Sequence, residues 1–378
     1  MKTLANRERL FAALEDRPVD RVPIWLLFPY HRVGYYADVR ANPCYTALFD
    51  LSKRYCVMLN RRNLGVRMFA PEVTEKTETV EESGWRVERR TLAHRGERLV
   101  AETRRRGDEV VVKKLLETEA DLDVLLSFPL NTDASAIHAE LETQLPQYLR
   151  EKAEFPEQYG AMMLDLGEPV GFLYHSSRLE EYALWSVACN EKVLLFLDRA
   201  MERARHIYRY CLARDLADVY FLVGSELASP PLVSPATFRQ WIVPYAKELI
   251  GLVHAHGKKA IQHYHGQIRH ILPDFLTMGA DALHTIEAPP VGNCTFTQAF
   301  EIVGRRMALI GNIQYDDFHA LTPEQMAAAV RAVLDECRGR RLILSPSAGP
   351  YEEHIPQRVI KNYRVFMETG WEYGRNAD

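Results

Sequence analysis

KKAIQHYHGQIRHILPDFLTMGADALHTIEAPPVGN, residues 258–293, reads as a strand, a short turn, a helix and a second strand. The first strand is expected over 259–265 and the second over 280–287, both short and apolar as strands buried on two faces are. His263 and His265 close the first strand; His284 and Glu287 close the second. In parallel α/β proteins ligands bind at the carboxyl ends of strands, so the placement of these four groups predicts the catalytic half of an enzyme.

The same rhythm extends outward in both directions. Toward the C-terminus come a strand at 307–311, a capping-box helix start at Thr322-Pro323-Glu324-Gln325, a strand at 342–345 and a final helix over 355–369. Toward the N-terminus, Ser234-Pro235 opens a helix that Pro244 should kink, preceded by strands at 217–223 and 161–166. Helices over 178–187 and 191–212 lie between those strands, the latter capped by Asn190. At the start, Asn6 is expected to cap a helix over 6–15, RVPIWLLF (21–28) to form the first strand and YCVMLN (55–60) the second. Asn42-Pro43 starts the helix between these two strands.

Eight strands separated by helices predict an α/β fold, a (β/α)8 TIM barrel forming a single domain over 1–378. An insertion interrupts it at about 61–160. There the periodicity changes to alternation in 84–90, 97–104 and 109–114, separated by Gly-containing turns, which predicts a small antiparallel sheet. Helices at 119–126 and 134–144 then lead back to the barrel. An open doubly wound sheet would carry a Gly-rich phosphate turn after its first strand, and Pro29-Tyr30-His31 is not one.

Bulk properties narrow the function class. The 378 residues carry 47 Lys plus Arg against 51 Asp plus Glu, a net charge of −4, which gives no general attraction to nucleic acid or to anionic membranes. No apolar run is long enough to span a bilayer, and MKTLANRERL is charged rather than signal-like, so a cytoplasmic location is expected. Cys44, Cys56, Cys189, Cys211, Cys294 and Cys337 are scattered without CxxC spacing and read as reduced thiols.

His263 and His265, two apart on a strand, point to the same side. Two histidines and one carboxylate form a common metal set with an open position for water or substrate, and Glu287 on the neighbouring strand is the expected third ligand. His284 and Cys294 compete for that place. Without a metal, the same groups can act as general acid and base. Glu168 and Glu226, ending two other strands, join Glu287 as candidate proton carriers. Tyr30, His31, Arg32, Tyr264, Asn312, Gln314 and Ser347 are candidates for contacting a small-molecule substrate.

RERLFAAL…RPVDRVPIW, SPATFRQWIVPYAKELIGLVHAHGKKAIQHYHG, GADALHTIE, MALIGNIQ and LILSPSAGP together resemble uroporphyrinogen decarboxylase and its relatives, the cobamide-dependent methyltransferases. The resemblance spans nearly the whole chain outside the insertion. It implies methyl or one-carbon transfer, a zinc ion that activates a thiol, a corrinoid carrier protein as partner and a homodimer. His263 matches the first zinc ligand of the methyltransferases, whereas His265 and Ala348 stand where their two cysteines would be. The arginine-rich and Phe-Ser-Asp motifs of the porphyrinogen decarboxylases are missing. Those absences count against a porphyrinogen substrate for the alternative, a metal-free decarboxylase of a porphyrinogen or another electron-rich acid; a non-enzymatic binding protein on the same scaffold comes third.

Overall fold

The computed structural model describes residues 3–375. In chain order, β1 (Met58–Asn63) is followed by β2 (Thr74–Glu82), β3 (Trp85–His94), β4 (Glu97–Arg106) and β5 (Glu109–Lys113). Then come β6 (Gly160–Asp165), β7 (Val219–Leu222), β8 (Lys259–His263), β9 (Ala282–His284), β10 (Ala308–Ile313) and β11 (Leu342–Pro346). Strands β1-β6-β7-β8-β9-β10-β11 form one parallel sheet in that order, with helices in the connections; β2-β3-β4-β5 form a separate antiparallel sheet.

Alternation along the parallel strands sorts their side chains onto two faces. Leu59, Ala161, Met163, Val219, Phe221, Ile261, Ala282, Ala308, Ile310 and Ile343 cluster together with Trp25 and Leu27. Their neighbours Met58, Met162, Leu164, Tyr220, Leu222, Ala260, Leu283, Leu309 and Leu344 pack in a second cluster with the surrounding helices. A sheet with one such face packed on itself must be curled. Leu10, Ala13 and Leu14 of the helix Asn6–Leu14 join the inner cluster, and Arg7 donates to the Gly160 carbonyl at the start of β6 (2.8 Å). That helix therefore covers the amino end and leaves the carboxyl ends for the site. At the β1–β6 approach, a Cβ on Gly160 would overlap the Met58 carbonyl.

The regular parallel sheet has seven strands and is not a closed eight-stranded barrel. The expected strand at 21–28 is an extended segment between the two edge strands, with a single parallel bridge from Ile24 to Leu344. Trp25 N–H donates to the Leu344 carbonyl and Val57 N–H to the Ile24 carbonyl, each at 2.8 Å. Pro23 has no N–H to give, and Leu27 turns to φ +60°, so a ladder cannot propagate there.

Other expectations shift locally. The antiparallel sheet has four strands rather than three, because β2 (TEKTETVEE) is polar on both faces and carries no apolar alternation. Asn6 lies inside its helix, where its side chain donates to the Lys53 and Cys56 carbonyls. Asn190 is likewise the first helical residue and accepts from Trp241 Nε1 (2.7 Å). Ser234 and Thr322 cap their helices as expected, and the Pro244 region is two helices, Pro235–Trp241 and Val243–Ala255. No helix among the described residues is long and apolar enough to cross a membrane.

Candidate active site

A cavity of about 710 Å3 opens at the carboxyl ends of the parallel strands. Arg61 and Asn63 reach it from β1, Asp165 and Glu168 from the end of β6, Glu226 from beyond β7 and His263 from the end of β8. Ser347 and Ala348 close it from the loop after β11; Tyr35, Tyr36, Phe172, Tyr174 and Tyr351 supply aromatic walls. Glu168, Glu226, His263 and Ser347 thus come together as the strand-end pattern implied.

The histidines do not pair as expected. His263 Nδ1 lies 2.6 Å from His284 Nδ1, with the two rings stacked 4.8 Å apart, while His265 Nδ1 lies 3.1 Å from Glu287 Oε1. Strand β9 ends at His284, so the alternation that would have set His284 opposite Glu287 stops before the carboxylate is reached.

The hydrogen-bond partners fix the protons. His284 Nε2 faces the Pro346 carbonyl at 3.0 Å, and a carbonyl only accepts, so Nε2 carries the hydrogen. Burial then pushes the His284 imidazole down to about 3, with the Pro346 carbonyl opposing, so the ring is neutral and its Nδ1 is a bare acceptor. His263 must donate through Nδ1. Burial, reinforced by His265 and His284, holds His263 well below the usual histidine range. Its Nε2 lone pair therefore faces Glu226 Oε1 at 3.5 Å.

Two acceptors facing one another favour a proton on the carboxyl. Burial raises Glu226 above the ordinary carboxylate range, against its own and the Gly224 backbone N–H. Glu168 goes further: burial, with Glu226 and Asp165 adding and Ser225 opposing, pushes it up to about 8. Its Oε2 is closed off from solvent and has no hydrogen-bond partner. Asp165 is committed to Arg61, whose Nε and Nη2 reach its Oδ2 at 3.1 and 2.5 Å. Arg61 lies 4.8 Å from the Tyr35 ring and 4.9 Å from the Phe221 ring.

The zinc set expected from His263, His265 and Glu287 does not form a cage. Burial alone would raise Glu287, but His265, the Gly266 N–H and Gln314 together hold it below the usual carboxylate range. Its second oxygen accepts from Gly266 N–H at 2.7 Å. Both Glu287 oxygens and one nitrogen of each histidine are thus spent on protein partners. Among the described residues, no three His, Cys, Asp or Glu side chains are placed to hold one ion. Cys294 is buried in the loop beyond, its Sγ facing the Thr295 carbonyl.

Most of the expected substrate contacts lie outside this cavity. Tyr30 packs against Phe49 and Phe155; His31 sits between Asn60 and Glu154. Arg32 lines a separate hollow with Asp38 and Glu353, and Tyr264 is fully buried against Phe238 and Phe275. Asn312 is half-buried on β10, and Gln314 accepts from Ser347 Oγ (3.2 Å), which itself accepts from Tyr315 N–H (3.1 Å). Arg61 and Asp165 were legible in principle, as charges ending the apolar runs of β1 and β6. Arg203, which enters from the helix Asn190–Ala213, carried no such signal.

The family model described as Uroporphyrinogen decarboxylase (URO-D) matches residues 173–373. Two curated methylcobamide:CoM methyltransferases MtaA, one from Methanosarcina barkeri and one from its strain Fusaro / DSM 804, are 26% and 24% identical over 254 residues. Each alignment covers 65% of this chain and 70% of the relative. A methyltransferase from Methanosarcina mazei shares the fold at TM-score 0.58 and 18% identity, covering 97% of this chain and 98% of its own.

Proposed function

The chain belongs to the uroporphyrinogen decarboxylase (URO-D) family, and on that premise we propose that it transfers methyl or other one-carbon groups to or from a small molecule bound beside His263, Glu226 and Glu168. The observation that carries this reading is the pair of buried carboxyls, both pushed toward their protonated forms, on a cavity wall next to a neutral histidine of fixed tautomer. Moving a methyl cation onto an H–X group forms X–CH3 and releases one proton. The reverse breaks X–CH3 and consumes one. Glu226 and His263 Nε2 exchange that proton, Glu168 is its reserve, and His284 holds His263 in the tautomer that keeps Nε2 free. Ser347 binds a polar substrate atom, and Glu287 positions His265.

By likeness to the two curated relatives, whose name specifies a methylcobamide and coenzyme M, the one-carbon carrier is a corrinoid, brought by a partner protein. With His265 and Ala348 in the place of thiolates, and with His265 tied to Glu287, the proposed chemistry runs through protein acids and bases rather than through zinc.

The test is incubation of the full chain with methylcobalamin and a panel of thiols and phenols, and in reverse with cob(I)alamin and their methyl ethers, following the corrinoid spectrum and the methylated product. Transfer that Glu226→Gln abolishes supports the reading. No transfer in either direction, with carbon dioxide released from an electron-rich acid instead, overturns it in favour of a decarboxylase. Near-stoichiometric zinc that is lost in His263→Ala/His265→Ala would overturn the metal-free assignment.

A further inference from the structure

The cavity holds one guanidinium with no counter-charge. Arg203 Nε donates to the Arg67 carbonyl at 3.2 Å and its Nη2 donates to the Val66 carbonyl, which fixes the plane of the group. Nη1 is bonded to nothing among the described residues, and no carboxylate lies within ion-pair distance. Elsewhere in the cavity Arg61 is paired with Asp165, and burial favours the uncharged forms of Glu168, Glu226 and His263. Burial with only distant help from Glu140 pushes the Arg203 guanidinium down to about 10, the mark of a cation short of an anion.

We propose that the substrate is a monoanion with an aromatic or similarly flat apolar body, its carboxylate or equivalent anchored on Arg203 and its body lying along Phe172, Tyr174 and Tyr35. A single uncompensated positive charge selects one negative charge, and a planar guanidinium with unspent N–H groups matches a carboxylate. The aromatic faces favour a ring over a chain. This deepens the group-transfer reading by naming the substrate class, but its test needs no turnover.

Calorimetric titration of the full chain with benzoate, phenylacetate and the neutral isostere benzamide reads the anchor directly. The best-fitting acid is expected to bind at least about tenfold more tightly than benzamide, as a charge-assisted hydrogen bond implies. Arg203→Met should remove that preference while leaving benzamide unchanged. Arg203→Lys, which keeps the charge without the fork, should retain part of it and serves as the reading if the methionine variant fails to fold. Equal binding of acid and amide, or an acid preference that survives Arg203→Met, overturns the proposal. Absent methyl transfer with the acid preference intact overturns only the group-transfer reading.

A second, independent observation lies on the antiparallel sheet. The edge strand β5 reads Glu109-Val110-Val111-Val112-Lys113, and its three valines are 47%, 48% and 53% exposed. Arg106 pairs with Glu109 across the two-residue turn Gly107-Asp108, so Glu109, Val111 and Lys113 spend their backbone groups on β4. Val110 and Val112 present theirs to the open edge. We infer that a second copy of this chain pairs antiparallel with β5 about Val111. That register puts Val110 opposite Val112 of the other copy as hydrogen-bonded pairs, and Glu109 opposite Lys113 twice, a sequence complementary to itself in charge. Lys113 has no ion pair within the chain among the described residues.

Sedimentation equilibrium of the full chain tests it. A dimer is expected whose dissociation constant rises about tenfold or more in Lys113→Glu, which sets like charges opposite each other. The exchange Glu109→Lys/Lys113→Glu should restore it. Val112→Pro removes an N–H that points to the open edge and should yield monomer with the β4–β5 ladder intact. A monomer at all concentrations, or a dimer indifferent to Lys113→Glu and Val112→Pro, overturns the inference.

Discussion

Replacing Glu168 by glutamine should make this protein more stable at alkaline pH and slower in turnover. The carboxyl sits at about 8 in the folded chain against an ordinary 4.5, with burial the largest cause. Between those two values the unfolded chain has lost a proton that the folded chain keeps. Stability from this group is therefore fully present below about pH 4.5 and is lost as pH rises through about 8. Each pH unit in that window is worth ~1.4 kcal/mol, so the total is on the order of 3–5 kcal/mol. Glutamine keeps the shape of the neutral acid and has nothing to ionise. Urea unfolding of both proteins from about pH 4.5 to 8.5 should show curves that coincide at the acid end, with the variant ahead at the alkaline end by a few kcal/mol. Parallel pH slopes, or a variant that falls behind as pH rises, would refute a buried neutral carboxyl at this position. In the parent, turnover in the direction that consumes a proton should fall as pH passes about 8.

Three further outcomes follow from the same wall. His284→Leu leaves the His263 Nδ1–H without its acceptor, while the Pro346 carbonyl keeps the Ser345 hydroxyl as a donor; it should cost about 1–3 kcal/mol for the orphaned N–H by chemical denaturation. It should also release the His263 tautomer, seen in its ring nitrogen chemical shifts. Asp165→Asn strands the buried charge of Arg61 and should destabilise by about 3–5 kcal/mol in urea, with a Tm that falls accordingly. Ser347→Ala removes the acceptor for Tyr315 N–H and the donor to Gln314; a loss of about 1 kcal/mol, and a KM change larger than the kcat change, would fit a binding role for this hydroxyl.

The parallel strands were legible because both of their faces are buried, which writes them as continuous apolar runs such as AMMLD and VYFL. RVPIWLLF has the same composition, yet it is no regular strand. What separates them is backbone chemistry that apolar content does not encode: the N–H that Pro23 lacks and the positive φ at Leu27. β2 was invisible for the opposite reason, since a strand exposed on both faces has no period to read. The helix expected to end near residue 144 runs as Ala134–Glu154 through Pro146, because Tyr148 continues its buried face and donates to the Leu216 carbonyl at 2.7 Å. Packing there outweighs the intrahelical hydrogen bond that proline removes.

At the site, the strand-end groups expected from the sequence take other hydrogen-bond partners in the fold. Strand ends pointed to His263, His265, His284 and Glu287, and a regular strand over 259–265 set its two histidines on one side, facing the carboxylate of the neighbouring strand. A strand that stops at His284 instead of running to Glu287 changes the chemistry without changing a residue. Under regular alternation, two imidazoles and a carboxylate would face one point and read as a metal set. As folded, one imidazole is locked by a carbonyl through its neighbour and presents a bare nitrogen to the Glu226 carboxyl; the other is spent on Glu287. The difference lies in three residues of backbone, and it decides which of these side chains face one another.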